Sequence, residues 1–287
     1  MARKIEAPLK ERLAGLLAHP YSHLNYGETK AGKTRMSIQA VRELGGLAID
    51  TEGRWSALGL PAAPLDLVAA EARSKTPDWL NLRAMLSGAV VYLHTDDYEL
   101  AFRLALLLSA ARKALGEPLV PLIVFDGWTE FQSKAITAIG RQTQGTKLGT
   151  DDARLLSRQG WGLLYRDQIM LQDALAPTET GSLLYATANI AEKNDPLDPA
   201  VAYLAPDLSG QFGAKIKKHY DVITYMRKVK PEQAGGHIIR RLYFQAVGNF
   251  IAGHIWEHLD VLPDSLDNPD LCGIMEQLAS AAVWNQR

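Results

Sequence analysis

Eight consecutive residues, Gly27-Glu28-Thr29-Lys30-Ala31-Gly32-Lys33-Thr34, have the types and spacing of a loop built to hold phosphate. A glycine, four variable residues and then Gly-Lys-Thr form a frame in which main-chain N–H groups cradle phosphate oxygens. Lys33 would reach the β and γ phosphates of a nucleotide, and Thr34 would set its hydroxyl on Mg2+. Arg35 follows at the start of the helix that such a loop must open, where the positive helix end favours an anion. Glu28 and Lys30 put charge into the variable slots. Because main-chain donors do the holding, those side chains can face solvent without spoiling the cradle.

Two carboxylates extend this chemistry. Asp126 ends the apolar run LIVFD, so its side chain should emerge at the sheet edge where phosphates lie in open α/β folds, and it can bind Mg2+ through water. On its own such an Asp is more often a cap or turn residue; the upstream loop favours the metal role. Glu52, in IDTEG, is the candidate to polarise an attacking water. The stretch Asp50-Thr51-Glu52-Gly53 also fits the D-x-x-G pattern of GTPases. Against that reading, no N-K-x-D guanine motif occurs in the chain, and Asp126 already supplies the metal-side carboxylate.

The elements that must position these residues can be read from the apolar pattern. Continuous apolar strands alternate with helix-period segments, the mark of a parallel sheet covered on both faces. Strands are expected around Leu24 to Tyr26 and at 46–50, 89–94, 122–126 and 182–188, with a hairpin at 221–229 and 237–247. Helices are expected from Lys33 to Leu44, from the Thr95-Asp96-Asp97 cap to Leu115, from Thr129 to Arg141 and from Ala153 to Ala176. The proline-bearing stretch after residue 50, the segment QTQGTKLGTDD and the segment 189–211 read as loops.

Bulk composition narrows the class. The 287 residues are 47% hydrophobic, enough for one large α/β domain, and 31 basic against 32 acidic side chains leave no global field toward nucleic acid or membrane. A lone cysteine, Cys272, excludes an internal disulfide and reads as a small buried side chain. The absence of a signal-like start or a membrane-length apolar run gives the expectation of a soluble cytoplasmic protein. His254 and His258 would share a helix face, but no zincin-type Glu follows His254, so these and His237 read as ordinary core or surface histidines.

In order, GETKAGKT, DTEG, LIVFDGWTEF, SLLYATANIAEKND, LSGQFGAKIKKHYDVITYMRK and VLPDSLDNPDLCGIMEQL resemble the successive blocks of RecA-like P-loop ATPases. The phage and prophage ATP-binding proteins, which include single-strand annealing and recombination ATPases, are the particular group. The resemblance covers about residues 20 to 280 and implies a RecA-like core at 21–250, a helical extension at 1–20 and a helical tail at 251–287. It implies ATP and Mg2+ as cofactors, Glu52 as water-activating carboxylate, Asp126 as metal-side Asp and Asn189 as the polar sensor ending the fifth strand. It further implies a homo-oligomer with ATP at the subunit boundary, where Lys215, Lys217, Lys218 or Arg227 of a neighbour would reach the γ phosphate. Single-stranded DNA would be the partner, held by loops near 142–151 and 190–208, with Lys147, Lys193, Arg141, Arg154 and Arg158 as cations and Tyr203 as a base-stacking candidate. The competing expectations are an ATP-gated assembly protein without DNA activity, and a packaging or helicase motor subunit.

Overall fold

The computed structural model describes residues 8–86, 91–95, 97–144, 156–194, 198, 200–230, 237–256 and 260–282. The apolar runs become strands buried on both faces: β1 (Ser22–Gly27), β2 (Gly46–Asp50), β3 (Val91–His94), β4 (Leu122–Asp126) and the first half of β5 (Leu183–Asn194). They lie parallel in the order β1-β5-β4-β2-β3. β6 (Ala202–Pro206) folds back antiparallel on the far half of β5. β7 (Val222–Val229) flanks β1 in parallel and carries the antiparallel edge of β8 (Ile239–Tyr243), β9 (Gly253–His254) and β10 (Ser265–Asp267). The described residues thus form an α/β fold around a mixed, mostly parallel sheet with helices on both faces and an antiparallel hairpin toward one edge.

Alternation along each central strand feeds two separate cores. Ile123 and Phe125 of β4 pack with α4 (Leu65–Arg73), α6 (Tyr98–Leu115), the start of α7 (Trp128–Gln144) and α8 (Arg158–Leu175). Leu122 and Val124, one residue out of phase, pack on the other face with α3 (Lys33–Leu44), α11 (Leu271–Ser280) and the short turns α1 (Leu9–Arg12) and α2 (Ala14–Ala18). Cys272 is buried in that second core. Side-chain caps fix three helix starts: Asp97 accepts from the N–H groups of Glu99 and Leu100, Ser157 accepts from Gly160, and Asp270 accepts from Gly273. No described helix is long and apolar enough to cross a membrane.

Four expectations are corrected. The stretch after β2 is no loop: it holds a 3-10 turn (Trp55–Leu58), α4 and α5 (Trp79–Leu86). Pro64, one of the prolines of that stretch, is the N-cap residue of α4, where a missing N–H costs nothing. The segment 189–211 is largely a hairpin, Ile190 pairing with Pro206 and Asn194 with Ala202, because Pro206 falls at a strand end where no ladder hydrogen bond is lost. Helix α8 starts at Arg158, not Ala153, since Ser157 takes the cap; residues 153–155 lie outside the described set. His254 sits in β9 opposite Val222, so it shares no helix face with His258, which is outside the described residues. Among the described residues no cluster of three or more His, Cys, Asp or Glu side chains is placed to hold a metal.

Candidate active site

Parallel register delivers the chemistry-bearing residues to one edge. Gly27 lies opposite Asn189, Thr187 opposite Asp126, Asp126 opposite Asp50 and Asp50 opposite His94, so the parallel strands end their runs side by side. All point their carboxyl ends toward the loop that follows β1. That loop departs at Gly27, where a Cβ would stand 1.9 Å from the Met226 carbonyl oxygen of the neighbouring strand, so a side chain there has no room. It closes at Gly32, whose φ of 106° is a glycine conformation and whose absent side chain leaves space for Arg240 of β8. Between them Thr29 and Lys30 are exposed and Ala31 is fully buried. Lys30 takes a left-handed φ of 62° and is exposed.

Lys33 is buried, with 3% of its surface exposed, and folds back over the loop. Its ammonium donates to the carbonyls of Gly27 (2.8 Å) and Glu28 (3.1 Å) and to Asn189 Oδ1 (3.3 Å). Burial lowers its pKa to about 8, partly offset by the carboxylates of Glu52 and Asp126. The helix start beneath it is pinned by a buried relay: Asn25 Nδ2 donates to the Tyr185 hydroxyl, which donates to the Lys33 carbonyl.

Thr34 and Asp126, 92 positions apart, meet here: the Thr34 hydroxyl donates to Asp126 Oδ2 at 2.8 Å. Two residues that the sequence reading did not single out complete the shell. Thr187 Oγ1 donates to Asp126 Oδ1 at 2.5 Å, and the indole N–H of Trp55 donates to Oδ2 at 2.9 Å. Burial raises the pKa of Asp126, and these three donors oppose that shift by favouring the charged form. Thr187 lies two residues before Asn189 on β5, so period-two alternation was the available signal for it.

Asp50 and Glu52 divide labour differently. The Asp50 carboxylate accepts the N–H groups of Glu52, Gly53 and Trp55, which folds the chain into a turn and consumes its acceptor sites. A carboxylate occupied in this way is poorly placed to serve a metal, which removes the basis for the D-x-x-G reading. The turn carries Glu52 inward until its side chain is only 6% exposed. Burial, then the nearby Asp126 carboxylate, raise the Glu52 pKa, with Arg54 and Lys33 opposing. Arg54 Nε lies 2.5 Å from Glu52 Oε2, a close charge contact that lacks the alignment of a hydrogen bond. Gly127, at φ 113°, makes room: a Cβ there would fall 2.6 Å from Glu52 Cγ.

Asn189 is tied outward as well as to Lys33. Its N–H donates to Thr129 Oγ1, whose hydroxyl donates to the Asp207 carbonyl; one turn along α7, Gln132 exchanges two hydrogen bonds with the Ser209 backbone. An aromatic cluster of Phe125, Trp128, Phe131 and Phe212, with ring centres 4.8 to 5.6 Å apart, holds the same segments together. On the other side of the loop, a cavity of about 670 Å³ opens between α3 and the β8 edge, lined in part by Gly32, Arg35, Met36, Gln39 and Arg240.

Other expected residues scatter. Arg227 lies on β7 one residue past the Gly27–Met226 pair, exposed, with its guanidinium 5.5 Å from the Tyr243 ring centre. Lys215, Lys217 and Lys218 are exposed in α10 (Gly210–Lys215) and the 3-10 turn after it. Lys193 is not free for phosphate, since its ammonium donates to the Leu208 carbonyl at 2.7 Å and burial lowers its pKa. Tyr203 pairs with Lys193 in the hairpin register. Arg141 and Arg158 are exposed at the ends of α7 and α8; Lys147 and Arg154 lie outside the described residues.

An open α/β sheet with a glycine-framed loop at the carboxyl edge of β1, a lysine folded into it and a Thr–Asp pair beside it defines a site suited to a phosphate ester with a divalent cation. No family model matches the chain, and no curated protein matches it. Among solved structures it is similar to the flagellar accessory protein FlaH from Methanocaldococcus jannaschii, with 11% identity, a TM-score of 0.41, and coverage of 92% of this chain and 91% of that one. A likeness that weak carries no functional weight.

Proposed function

We propose that the chain is a RecA-like P-loop ATPase that binds and hydrolyses Mg-ATP, assembles with copies of itself so that ATP sits at the subunit boundary, and acts on single-stranded DNA in recombination, annealing or replication of the phage type. The observation that carries the nucleotide reading is the 2.8 Å hydrogen bond from Thr34 to Asp126, which joins the hydroxyl ending the loop to the carboxylate ending a different strand. A small hard cation takes such oxygen ligands together with phosphate oxygens and water. Thr34 and Asp126 would hold a bound Mg2+, which would supply positive charge to the phosphates. The chain's own residues do the rest: loop N–H groups and Lys33 hold the phosphates, Asp126 and Thr34 hold the cation, Glu52 accepts a proton from water, and Asn189 senses the γ position. To the cavity beside Gly32 and Arg35 this reading assigns the sugar and base, since it adjoins the end of the loop.

The lowered pKa of Lys33 sets a pH dependence. In the free protein its ammonium is lost as pH rises through about 8, whereas phosphate binding would favour the charged form. ATP affinity should therefore be level below that point and fall as pH rises above it. Titration calorimetry from pH 6 to 10 checks this, and Lys33→Met should flatten the profile.

The DNA reading is tested by ATPase rate with and without oligo(dT) across a salt series. Stimulation that fades steeply with salt is expected from phosphate neutralisation. A flat response would favour a second reading, an ATP-gated assembly protein, for which the Arg54 contact on Glu52 is the favouring observation: it engages the proposed base and would hold turnover down.

A further inference from the structure

One face of α8 takes no part in the site described above. Arg158, Trp161, Tyr165 and Gln168 recur at helical spacing, which stacks them along one side of the helix. That side walls a cavity of about 580 Å³, closed opposite by residues 209–211. Trp161 and Tyr165 are half-buried, with Trp161 seated where a Cβ on Gly210 would come within 2.8 Å of its ring. Arg158 stands exposed at the mouth, and Lys215 Nζ lies 5.5 Å from the centre of the Tyr165 ring. Gln168 is only 1% exposed, and its amide nitrogen has no hydrogen-bond partner. A buried donor left unpaired is costly in a protein interior, and here it belongs to a side chain that lines the cavity. The neighbouring acid, Asp167, is engaged by Arg166 and the Tyr98 hydroxyl, so it does not cancel the two cations.

Aromatic rings, a flanking arginine and lysine, and an unsatisfied amide are the components that hold an unpaired base: rings for its face, the amide for a carbonyl on its edge, cations for the adjoining phosphates. We propose that this cavity receives one base of a single-stranded nucleic acid, stacked on Trp161 and Tyr165 and hydrogen-bonded by Gln168. This rests on the single-stranded DNA reading and gives it a specific contact outside both expected DNA loops. Ser209, in the opposite wall, is bonded twice to Gln132 of α7, the helix whose Thr129 receives the Asn189 N–H, so the base cavity and the nucleotide site share one structural element.

The test measures binding of oligo(dT), and of an abasic oligonucleotide of equal length, by fluorescence anisotropy in the presence of Mg-ATP. Trp161→Ala should weaken oligo(dT) binding by about tenfold or more, the scale of one lost stack, and leave abasic binding unchanged. Trp161→Phe should retain most of the affinity. On the unaltered protein, an oligonucleotide carrying 5-iododeoxyuridine should photocross-link to the α8 peptide that contains Trp161 and Tyr165, a readout that holds even where a variant fails to fold. If the parent binds oligo(dT) while a folded Trp161→Ala variant binds it equally and cross-links map elsewhere, the base cavity is overturned and the DNA reading survives. If the parent binds no single strand at all, both fall.

Discussion

Lys33→Ala should lose ATP binding by about 10- to 100-fold or more, the worth of one or two charge-assisted hydrogen bonds to phosphate removed from a buried setting. In the structure the ammonium is held within the loop by the carbonyls of Gly27 and Glu28 and by Asn189, so it is positioned over the cradle before any ligand arrives. The same burial makes the charge unwelcome in the free protein, which is why its pKa falls to about 8. Two consequences separate a binding role from a structural one. The variant should melt close to the parent, because removing a charge that burial disfavours offsets much of what the three lost hydrogen bonds cost. Lys33→Met, which keeps the volume and loses the charge, should bind as poorly as Lys33→Ala. Calorimetry and thermal melts measure both; parental affinity in either variant would remove the phosphate-loop assignment.

Glu52→Gln should bind ATP with parental affinity and turn it over about 10²- to 10⁴-fold more slowly, the range by which a positioned general base accelerates proton transfer. The substitution keeps the shape that Gly127 makes room for and keeps the turn that Asp50 builds, so the variant isolates the proton-accepting function. A burial-raised pKa suits that role, since a base nearer neutrality is the more effective one. Arg54 sharpens the test. If its contact with Glu52 restrains the base, Arg54→Ala should raise basal turnover in the parent protein and have no effect when combined with Glu52→Gln, a comparison read by a two-residue cycle. Equal turnover in Glu52→Gln and the parent would show that the carboxylate is not the base.

Much of the frame could be read from the residue order. Strands such as LIVFD are uniform apolar runs because both of their faces are covered, and Lys33 to Leu44 begins after a glycine loop and ends at a glycine, so the boundaries of β2, β4 and α3 fall where the pattern puts them. Prolines misled where a local rule was read without its position: Pro64 starts a helix and Pro206 ends an edge strand. The division between Asp50 and Glu52 was also beyond local pattern, since each is an acid near a strand end.

What the order of residues determined by itself is the loop, because Gly27, Gly32, Lys33 and Thr34 act through backbone conformation and one helix start, all within a few positions of each other. What only the tertiary structure decided is which distant groups converge on it. Thr187 and Trp55 reach Asp126, Arg54 reaches Glu52, Arg240 covers Gly32, and the cavity on α8 acquires its opposite wall from residues 209–211. The reason is physical: parallel pairing sets a register between strands far apart in the chain, and burial sets the charge state of the acids, and neither quantity exists until the sheet is assembled.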